Sequence, residues 1–225
     1  MSSSCSTEQV RASLTAMSLA LIDHADELNR LDAAIGDGDM GVTVRIGAQA
    51  VLDTLRSSPD IDLATLLSRA GMAFNRAAAS TTGALMATAG MRAGKVAKDE
   101  NAMAMDLPLL ARMVAAAEVG IRERGKARRG DKTLLDALIP ASEALTQAAN
   151  EGVDMREAGQ CALAAAQHGC EETVAMRSRI GRAGWIGERT IGQPDPGATA
   201  VVIILQAIVG QGSRLEEKGD LDANE

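Results

Sequence analysis

Aromatic side chains and positive charge are both scarce in this 225-residue sequence. Only 1% of residues are aromatic, with one Trp, one Phe and no Tyr, and the formal net charge is -7. Binding of nucleic acid needs a basic field against the phosphates, and single strands also need aromatic platforms for stacking. The composition therefore argues against a nucleic-acid-binding protein, and it leaves the core to be built from Ala, Leu, Ile, Val and Met.

Long apolar runs and paired cysteines are missing as well. No uninterrupted apolar run approaches the roughly 20 residues of a membrane-spanning helix, and the best candidate, ATAVVIILQAIVG, is interpreted as a buried element. The first residues, MSSSCSTEQV, lack the basic region and apolar run of a secretory signal. Cys5, Cys161 and Cys170 have no metal-ligand spacing and are interpreted as reduced thiols. These absences favour a cytoplasmic protein that does not enter a membrane.

Helical periodicity is the main pattern that the sequence does contain. Apolar residues recur every three to four positions over most of the chain, and 46% of all residues are hydrophobic, enough for a sizeable core. Pro140 is compatible with its helix only through a local kink or an early break. We predict a single all-α domain over residues 1–212 and an acidic tail at 213–225, with helices at 7–29, 42–55, 63–76, 83–97, 107–124, 134–150, 154–176 and 198–208.

Three aspartates crowd into the connection between the first two predicted helices, LDAAIGDGDMG. Asp32, Asp37 and Asp39 carry the oxygen ligands that Mg2+ prefers, and the interleaved glycines allow the chain to fold back so that the carboxylates converge. A solvated turn with an Asp N-cap is the competing interpretation. An EF-hand is excluded, because counting from Asp37 puts Ala48 and not Glu at the twelfth position. The spacing alone leaves metal binding and the capped turn open.

Several further segments have an anion-binding interpretation beside an ordinary structural one. Ser80, Thr81 and Thr82 precede a helix, where hydroxyl and N–H groups suit an anion, although an N-cap is the simpler explanation. The basic stretch GKARRGDK is either a phosphate-steering loop or a solvated charge run, and the DPG stretch at 195–197 is a turn signature by itself. Arg182, which has glycines nearby, is either a surface residue or a phosphate clamp. The stretch GMRAGKV is one residue too short between its glycines for a P-loop, and Val follows its Lys.

Taken in order, four segments resemble one family. LDAAIGDGDMG, STTGALM, RGKARRGDKTLLDALIPA and GRAGWIGERTIGQPDPGA are similar to the nucleotide-binding L subunit of dihydroxyacetone kinases, which also forms the C-terminal half of single-chain dihydroxyacetone kinases. The similarity spans about residues 14–208, and the ordered combination of GDGDxG, GDKTxLDA and DPGA is specific. It implies a closed barrel of about eight antiparallel helices, with the nucleotide on the loops at one end.

The resemblance also implies roles for individual residues. Asp32, Asp37 and Asp39 match aspartates that coordinate two magnesium ions, which in turn hold the phosphates of ADP or ATP. Arg182 matches a phosphate-side arginine and is the expected catalytic residue, because a guanidinium can stabilise charge that develops during phosphoryl transfer. The remaining nucleotide contacts are implied at Met40, Gly41, Val42, Thr43, Thr81, Thr82, Gly125, Leu134, Asp195, Pro196 and Gly197.

Two positions depart from the family pattern. Met40 stands where the family often has His, so an imidazole contact to phosphate would be lost while a backbone contact would survive. The segment AAASTT stands where the family is commonly richer in glycine. Both departures affect the expected phosphate geometry, whereas the three aspartates are unchanged.

A partner and a reaction are part of what the resemblance implies. In the family the K subunit binds dihydroxyacetone through a histidine, and the sequence has no such domain, so we expect a phosphotransferase that is active with a K subunit. The donor is either exchanging ATP or a phosphotransferase-system protein that rephosphorylates bound ADP. Dihydroxyacetone, erythrulose or another short ketose is the acceptor, and a homodimer is left open. The alternative is a nucleotide-binding regulatory module without turnover that acts through protein contacts.

Overall fold

Helices make up most of the part of the chain that the structure describes. The computed structural model describes the backbone of residues 4–222, and the side chains of that stretch except at 182 and 212–222. Its ten α-helices are α1 (Thr7–Asp23), α2 (Ala25–Ile35), α3 (Met40–Ser57), α4 (Leu63–Ala77), α5 (Thr81–Asp99), α6 (Leu107–Gly125), α7 (Leu135–Glu151), α8 (Met155–Glu172), α9 (Gly181–Ile186) and α10 (Pro196–Asp222). Short 3-10 turns cover Thr173–Ala175 and Gly187–Thr190.

Side-chain caps explain where many of these helices begin. The first turn of a helix leaves N–H groups without partners, and a Ser or Asp oxygen just before it can accept from one of them. At α1 the cap is reciprocal, because Ser6 accepts from the Gln9 N–H while the Gln9 side chain accepts from the Ser6 N–H. Simple caps of the same kind start α4, α5, α6 and α8, from Asp62, Ser80, Asp106 and Asp154 respectively.

Within the described residues, eight of the helices form a closed ring. The order around it is α1, α3, α4, α5, α6, α7, α8 and α10, and α10 packs back against α1. Because each helix returns alongside the one before it, ring neighbours are antiparallel. The smaller helices lie outside this order: α2 packs against α3 and α10, and α9 lies in the connection between α8 and α10. The prediction of an all-α barrel of antiparallel helices is confirmed.

The alternating direction of the helices assigns each connection to one end of the barrel. The end called the site end below holds the connections at 36–39, 78–80, 126–134 and 173–195. The opposite end holds a two-residue strand, β1 (Cys5–Ser6), that pairs antiparallel with β2 (Ala104–Met105). All residues that the resemblance marks for metal or nucleotide lie in the site-end connections or within about a turn of them.

Glycine lets helices approach each other in a core that has few large side chains. Gly71 of α4 and Gly90 of α5 face each other, so that a Cβ on Gly90 would lie 3.1 Å from the Gly71 Cα. A Cβ on Gly94 would lie 2.6 Å from the main-chain oxygen of Ala64 in α4. The P-loop-like stretch at 90–96 is therefore part of a helix, and its glycines serve the contact between α4 and α5.

Three helix predictions differ from the structure. The single helix predicted at 7–29 is divided at His24, and α2 continues to Ile35, so Asp32 lies on a helix and not in a loop. The early break at Pro140 is wrong, since Pro140 lies inside α7 without ending it, and the local kink stays a prediction. The last helix is longer than predicted and reaches Asp222, so the backbone of 213–222 is helical. The side chains of the predicted tail and residues 223–225 lie outside the description.

None of the helices within residues 4–222 combines the length and the apolar character that crossing a membrane requires.

Candidate functional site

The three aspartates of the GDGD segment converge at the site end. Asp32 lies in the last turn of α2, Asp37 in the connection, and Asp39 immediately before α3. One carboxylate oxygen of each lies within 4.8 Å of those of the other two, and Asp32 is half-buried whereas Asp37 and Asp39 are exposed. Three negative charges at this separation repel each other. A divalent cation bound by all three would relieve that repulsion, and their oxygens are the ligands that Mg2+ prefers.

Asp32 has a second role, because it orders the start of α3. Its Oδ2 accepts hydrogen bonds from the N–H groups of Asp39 at 3.0 Å and Met40 at 3.1 Å. Gly36 is needed in this turn, since a Cβ there would overlap the Asp32 carboxylate. One oxygen of Asp32 therefore fixes the connection in place, and the other remains to act as a ligand.

The first turn of α3 is pressed against α2. A Cβ on Gly41 would overlap the main-chain oxygen of Ala25 and lie 2.6 Å from Asn29 Oδ1. The same Asn29 oxygen accepts a hydrogen bond from the Val42 N–H at 3.2 Å. Met40 is half-buried and packs against the core cluster, so the residue that departs from the family pattern fills space in the core. Together these contacts hold 40–43 beside the aspartates.

A second group of predicted residues lies at the start of α5. The Ser80 hydroxyl accepts from the Gly83 N–H at 3.0 Å, which confirms an N-cap. Thr81 is exposed and Thr82 half-buried, and their N–H groups have no hydrogen-bond partner among the described residues. Gly125, at the end of α6, faces Leu85 one turn further along α5. The geometry thus brings Gly125 near the two threonines and leaves donors exposed at this helix end.

Polar groups of the third region are buried, which the sequence did not suggest. Lys132, Asp136 and Asp195 are 2%, 1% and 8% exposed respectively. Asp136 accepts from the N–H groups of Gly130 at 2.5 Å and Thr133 at 2.7 Å. Asp195 caps α10 by accepting from the Ala198 N–H at 2.7 Å, and its own N–H donates to the Thr173 hydroxyl at 2.9 Å. Buried charges need such partners to be tolerated.

Burial also shifts the ionisation of this group. It raises the pKa of Asp195 to about 7, and the charge of Asp136 adds to the rise while the Ala198 N–H and the Lys132 charge oppose it. Burial lowers the pKa of Lys132, and the charge of Asp195 opposes that change. The protonation of Asp195 and Lys132 is therefore linked, since each charge favours the other.

The 195–197 turn packs directly on the start of α7. A Cβ on Gly197 would lie 3.1 Å from the Leu134 Cβ and 3.0 Å from Asp195 Oδ1. Pro196 begins α10, where its missing N–H costs no helical hydrogen bond. Leu134 and 195–197, which the resemblance assigns to different nucleotide contacts, are thus neighbours in the fold.

The segment around α9 carries an exposed aromatic side chain at the site end. The backbone of Arg182 lies on α9, while its side chain lies outside the description. Trp185, on the same short helix, is 93% exposed. A cleft of about 600 Å³ opens nearby between α6 and the segment before α9, and the charged residues in its lining are four cations and two acids, namely Arg122, Lys126, Arg128, Arg179, Glu123 and Asp131. In a chain of net charge -7, this local concentration of cations favours the approach of an anion.

The predicted residues form three groups at one end of the barrel. The aspartates lie with 40–43, the threonines with Gly125, and Leu134 with 195–197. Near these groups α3 also contacts α5, and α2 contacts the turn at Gly187–Thr190. Lys132 was predicted to be a phosphate-steering or solvated cation of the basic stretch, and both interpretations are wrong, because its Nζ is bound by main-chain oxygens inside the fold. Asp136 was missed. The glycine at 130, which precedes them with a positive φ of 89°, was the available signal of a special turn.

Comparisons with known proteins agree with this arrangement. The family model of the DAK2 domain matches residues 34–210. The chain is 38% identical over 201 residues to the L-erythrulose kinase of Pectobacterium atrosepticum, covering 88% of this chain and 34% of the relative. It is 32% identical over 184 residues to the Escherichia coli protein named PEP-dependent dihydroxyacetone kinase, ADP-binding subunit DhaL, covering 82% of this chain and 87% of that subunit. The chain thus spans about a third of the first relative and most of the second.

A solved structure gives the same result for the fold. The dihydroxyacetone kinase of C. freundii, crystallised in complex with AMP-PNP and Mg2+, superposes with a TM-score of 0.70 at 28% identity. The match covers 93% of this chain and 35% of that protein. With a family model that spans most of the helical barrel and a subunit-length relative above 30% identity, the chain belongs to the DAK2 domain family.

Proposed function

We propose that this chain binds ADP or ATP together with Mg2+ and transfers a phosphoryl group to a short ketose held by a separate K subunit. The observation that carries the proposal is the convergence of Asp32, Asp37 and Asp39 within 4.8 Å. The loops at the same end carry the other residues that the resemblance assigns to the nucleotide. The names of the relatives support the reaction class, since they include an L-erythrulose kinase and an ADP-binding subunit.

The donor set fits magnesium. All three groups are carboxylates, two of them are exposed to solvent, and Mg2+ commonly keeps several waters beside one or two carboxylates and phosphate oxygens. We infer that Asp37 and Asp39 supply ligands on the solvent side and that Asp32 supplies one oxygen from the end of α2. When bound, Mg2+ neutralises phosphate charge and so supplies electrostatic stabilisation to phosphoryl transfer.

The remaining residues bind and orient the nucleotide. The N–H groups of Thr81 and Thr82, at the start of α5, have no partner among the described residues and can donate to phosphate oxygens. Gly125 and Leu134 lie where a base and sugar can pack, and 195–197 closes this region from the side of α10. Arg182 stabilises the charge that grows as the phosphoryl group moves. The cations around the cleft raise the local concentration of a polyanionic nucleotide.

The ketose belongs to a partner in this proposal. The chain covers 87% of a relative that is itself named as a subunit, which supports a division of labour between a nucleotide-binding and a ketose-binding chain. Dihydroxyacetone and erythrulose are the acceptors to test first. The donor is either free ATP or a phosphotransferase-system protein that recharges bound ADP, and one relative is named as PEP-dependent.

Calorimetry and a reconstituted transfer reaction test the proposal together. ADP should bind the purified chain in the presence of Mg2+ and not in EDTA. Phosphorylated ketose should form only when a K subunit is added, with either ATP or phosphotransferase components as donor. Binding of ADP that does not need a divalent cation would overturn the metal assignment. Robust product from the chain alone would overturn the need for a partner, and binding without transfer to any ketose would favour a regulatory module.

A further inference from the structure

Lys132 is buried, whereas the other cations of the basic stretch, Lys126, Arg128 and Arg129, are exposed. Its side chain is 2% exposed, and its backbone has a positive φ of 60°, which is uncommon for a residue with a side chain. The Nζ donates to three main-chain oxygens, those of Met176 at 3.2 Å, Thr190 at 2.5 Å and Gln193 at 2.6 Å. An ammonium has three N–H donors, so all of them are used by the backbone of a single distant segment.

The three acceptors lie on both sides of α9. Residues 177–189, called the α9 loop here, leave the barrel after Met176 and return at Thr190. The place where the two ends of the α9 loop meet the barrel is called its neck here. The two sides of the neck are joined by the Gly192 N–H, which donates to the Val174 oxygen at 2.8 Å. The Ser178 N–H also donates to the Thr190 hydroxyl at 2.9 Å. The Lys132 Nζ bridges the same two sides, because it donates to Met176 on one side and to Thr190 and Gln193 on the other. Lys132 therefore holds the neck closed from the barrel side.

Lys132 is itself held in place by the connection on which it lies. Asp136 accepts from the N–H groups at 130 and 133, on either side of Lys132. Asp131 accepts from the Arg128 N–H at 2.9 Å through its side chain and from the Arg179 N–H at 3.1 Å through its main chain. The connection between α6 and α7 is therefore a fixed base, and the α9 loop is attached to it at Lys132 and at Asp131.

Removal of the ammonium would leave three carbonyl oxygens without this donor, of which that of Thr190 is in a buried contact and those of Met176 and Gln193 are in partly buried ones. Buried acceptors that lose their partner are costly, and here the local remedy is for the neck to open and admit water. The hydrogen bonds of the Ser178 and Arg179 N–H groups would remain at the start of the α9 loop, whereas Trp185 in its middle is almost fully exposed and adds little packing. Loss of Lys132 should therefore increase the motion of residues 177–189 more than that of the barrel.

We propose that Lys132 is a positioning residue for phosphoryl transfer, which acts by closing the neck of the α9 loop and thereby fixing the place of Arg182. This inference rests on the proposed function, in which Arg182 stabilises the transferred phosphoryl group. A group that is misplaced by about 1 Å can lose about a hundredfold in rate. Lys132 contributes no contact to the nucleotide in this role.

The test compares Lys132→Met with a matched control, Arg11→Met. Arg11 is also a buried cation whose side chain donates to main-chain oxygens, those of Leu55 at 2.8 Å and Pro59 at 2.7 Å, but at the opposite end of the barrel. Both full-length variants are assayed with a K subunit, dihydroxyacetone and the donor that supports the wild type, at a temperature where circular dichroism shows them folded. Lys132→Met should lower the transfer rate by about ten- to a hundredfold. Arg11→Met should change it by less than about threefold, although both lose stability.

Combination with Arg182→Ala distinguishes positioning from a general loss of structure. If Lys132 acts through Arg182, adding Lys132→Met to Arg182→Ala should cost less than about threefold, since coupled residues are not additive. Multiplicative losses would overturn the inference. Lys132→Arg should recover only part of the rate, because a planar guanidinium cannot direct three donors to converging oxygens as an ammonium does.

Hydrogen exchange gives a readout that does not depend on activity. Amides of 177–189 should exchange faster in Lys132→Met than in the wild type, while those of α4 and α5 stay protected. Arg11→Met should leave the α9 loop unchanged. Unchanged exchange of 177–189 in folded Lys132→Met would overturn the inference even if transfer fell. A wild-type chain without transfer under any donor would instead show that the proposed function is wrong, and the positioning role with it.

Discussion

Replacement of Asp39 by Asn should have opposite effects on the stability of the free protein and on ligand binding. The carboxylate oxygens of the three aspartates lie within 4.8 Å of one another. At that distance two unit charges repel by about 1 kcal/mol at the dielectric constant of water. Loss of the Asp39 charge removes two of the three pairs, or about 2 kcal/mol. The charge also interacts favourably with the start of α3, which is worth about 0.3–1 kcal/mol. The net expectation is a gain of about 1 kcal/mol in the free energy of unfolding without metal.

The gain should appear as a rise in Tm of about 2–4 °C for a chain of this size, measured by circular dichroism in EDTA at low salt. In the presence of Mg2+ and ADP the variant should have a lower Tm than the wild type, because it has lost a ligand charge. We expect its affinity for ADP, measured by calorimetry in Mg2+, to fall by more than about tenfold. High salt should reduce the gain in EDTA, since the repulsion is between exposed groups.

Asp154→Asn is the matched control for this experiment. Asp154 also precedes a helix, α8, but it lies at the opposite end of the barrel. Asn is about as good an N-cap as Asp, so neither stability nor ADP affinity should change appreciably. A loss of stability of Asp39→Asn in EDTA, or an unchanged ADP affinity in Mg2+, would show that the carboxylates do not act as a mutually repelling metal site.

Three further perturbations test other parts of the site end. Because burial raises the pKa of Asp195 to about 7, the folded state holds a proton that the unfolded state releases near pH 4. The contribution of this proton to stability is present at low pH and is lost as pH rises from about 4 to 7. In urea titrations, the free energy of unfolding of the wild type relative to Asp195→Asn should therefore fall across that range. Gly41→Ala should lower the free energy of unfolding by about 3 kcal/mol in the same assay, because the new Cβ would overlap the Ala25 oxygen, whereas Gly210→Ala, in open space, should not lower it. Arg182→Ala should slow single-turnover transfer by about a hundredfold with a smaller change in ADP affinity, and a rate loss fully explained by weaker binding would refute the catalytic role.

The barrel could be predicted from the sequence because apolar periodicity reports the buried face of each helix. The division between α1 and α2 at His24 could not be predicted, since α2 continues the same apolar periodicity and His is not a residue that strongly breaks a helix. Pro140 gave a misleading signal. The helical partner of its missing N–H would be the Asp136 carbonyl, and that carbonyl is covered by Gly169 of α8, so the neighbouring helix packs closely where the hydrogen bond is absent.

The aspartates of the site could be predicted because their spacing is local. Asp32, Asp37 and Asp39 are brought together by one turn, whereas the environment of Lys132 depends on oxygens 44 to 61 residues away. A lysine beside two arginines and a glycine has the composition of a solvated loop. Only the fold shows that its Nζ is enclosed, since the acceptors are main-chain atoms and leave no trace in the identity of their residues.

The exposed position of Trp185 gives the protein a built-in optical reporter. It is the sole tryptophan of the chain, which contains no tyrosine, so the ultraviolet emission of the protein arises almost entirely from α9. Because the indole is 93% exposed in the folded state, its emission should change little on unfolding and is a poor measure of stability. Because the emission comes from a single exposed position, it responds selectively to changes around Trp185. Any quenching or blue shift on addition of nucleotide, Mg2+ or a partner chain would report an event at the α9 loop, without a label and against a dark background from the rest of the barrel.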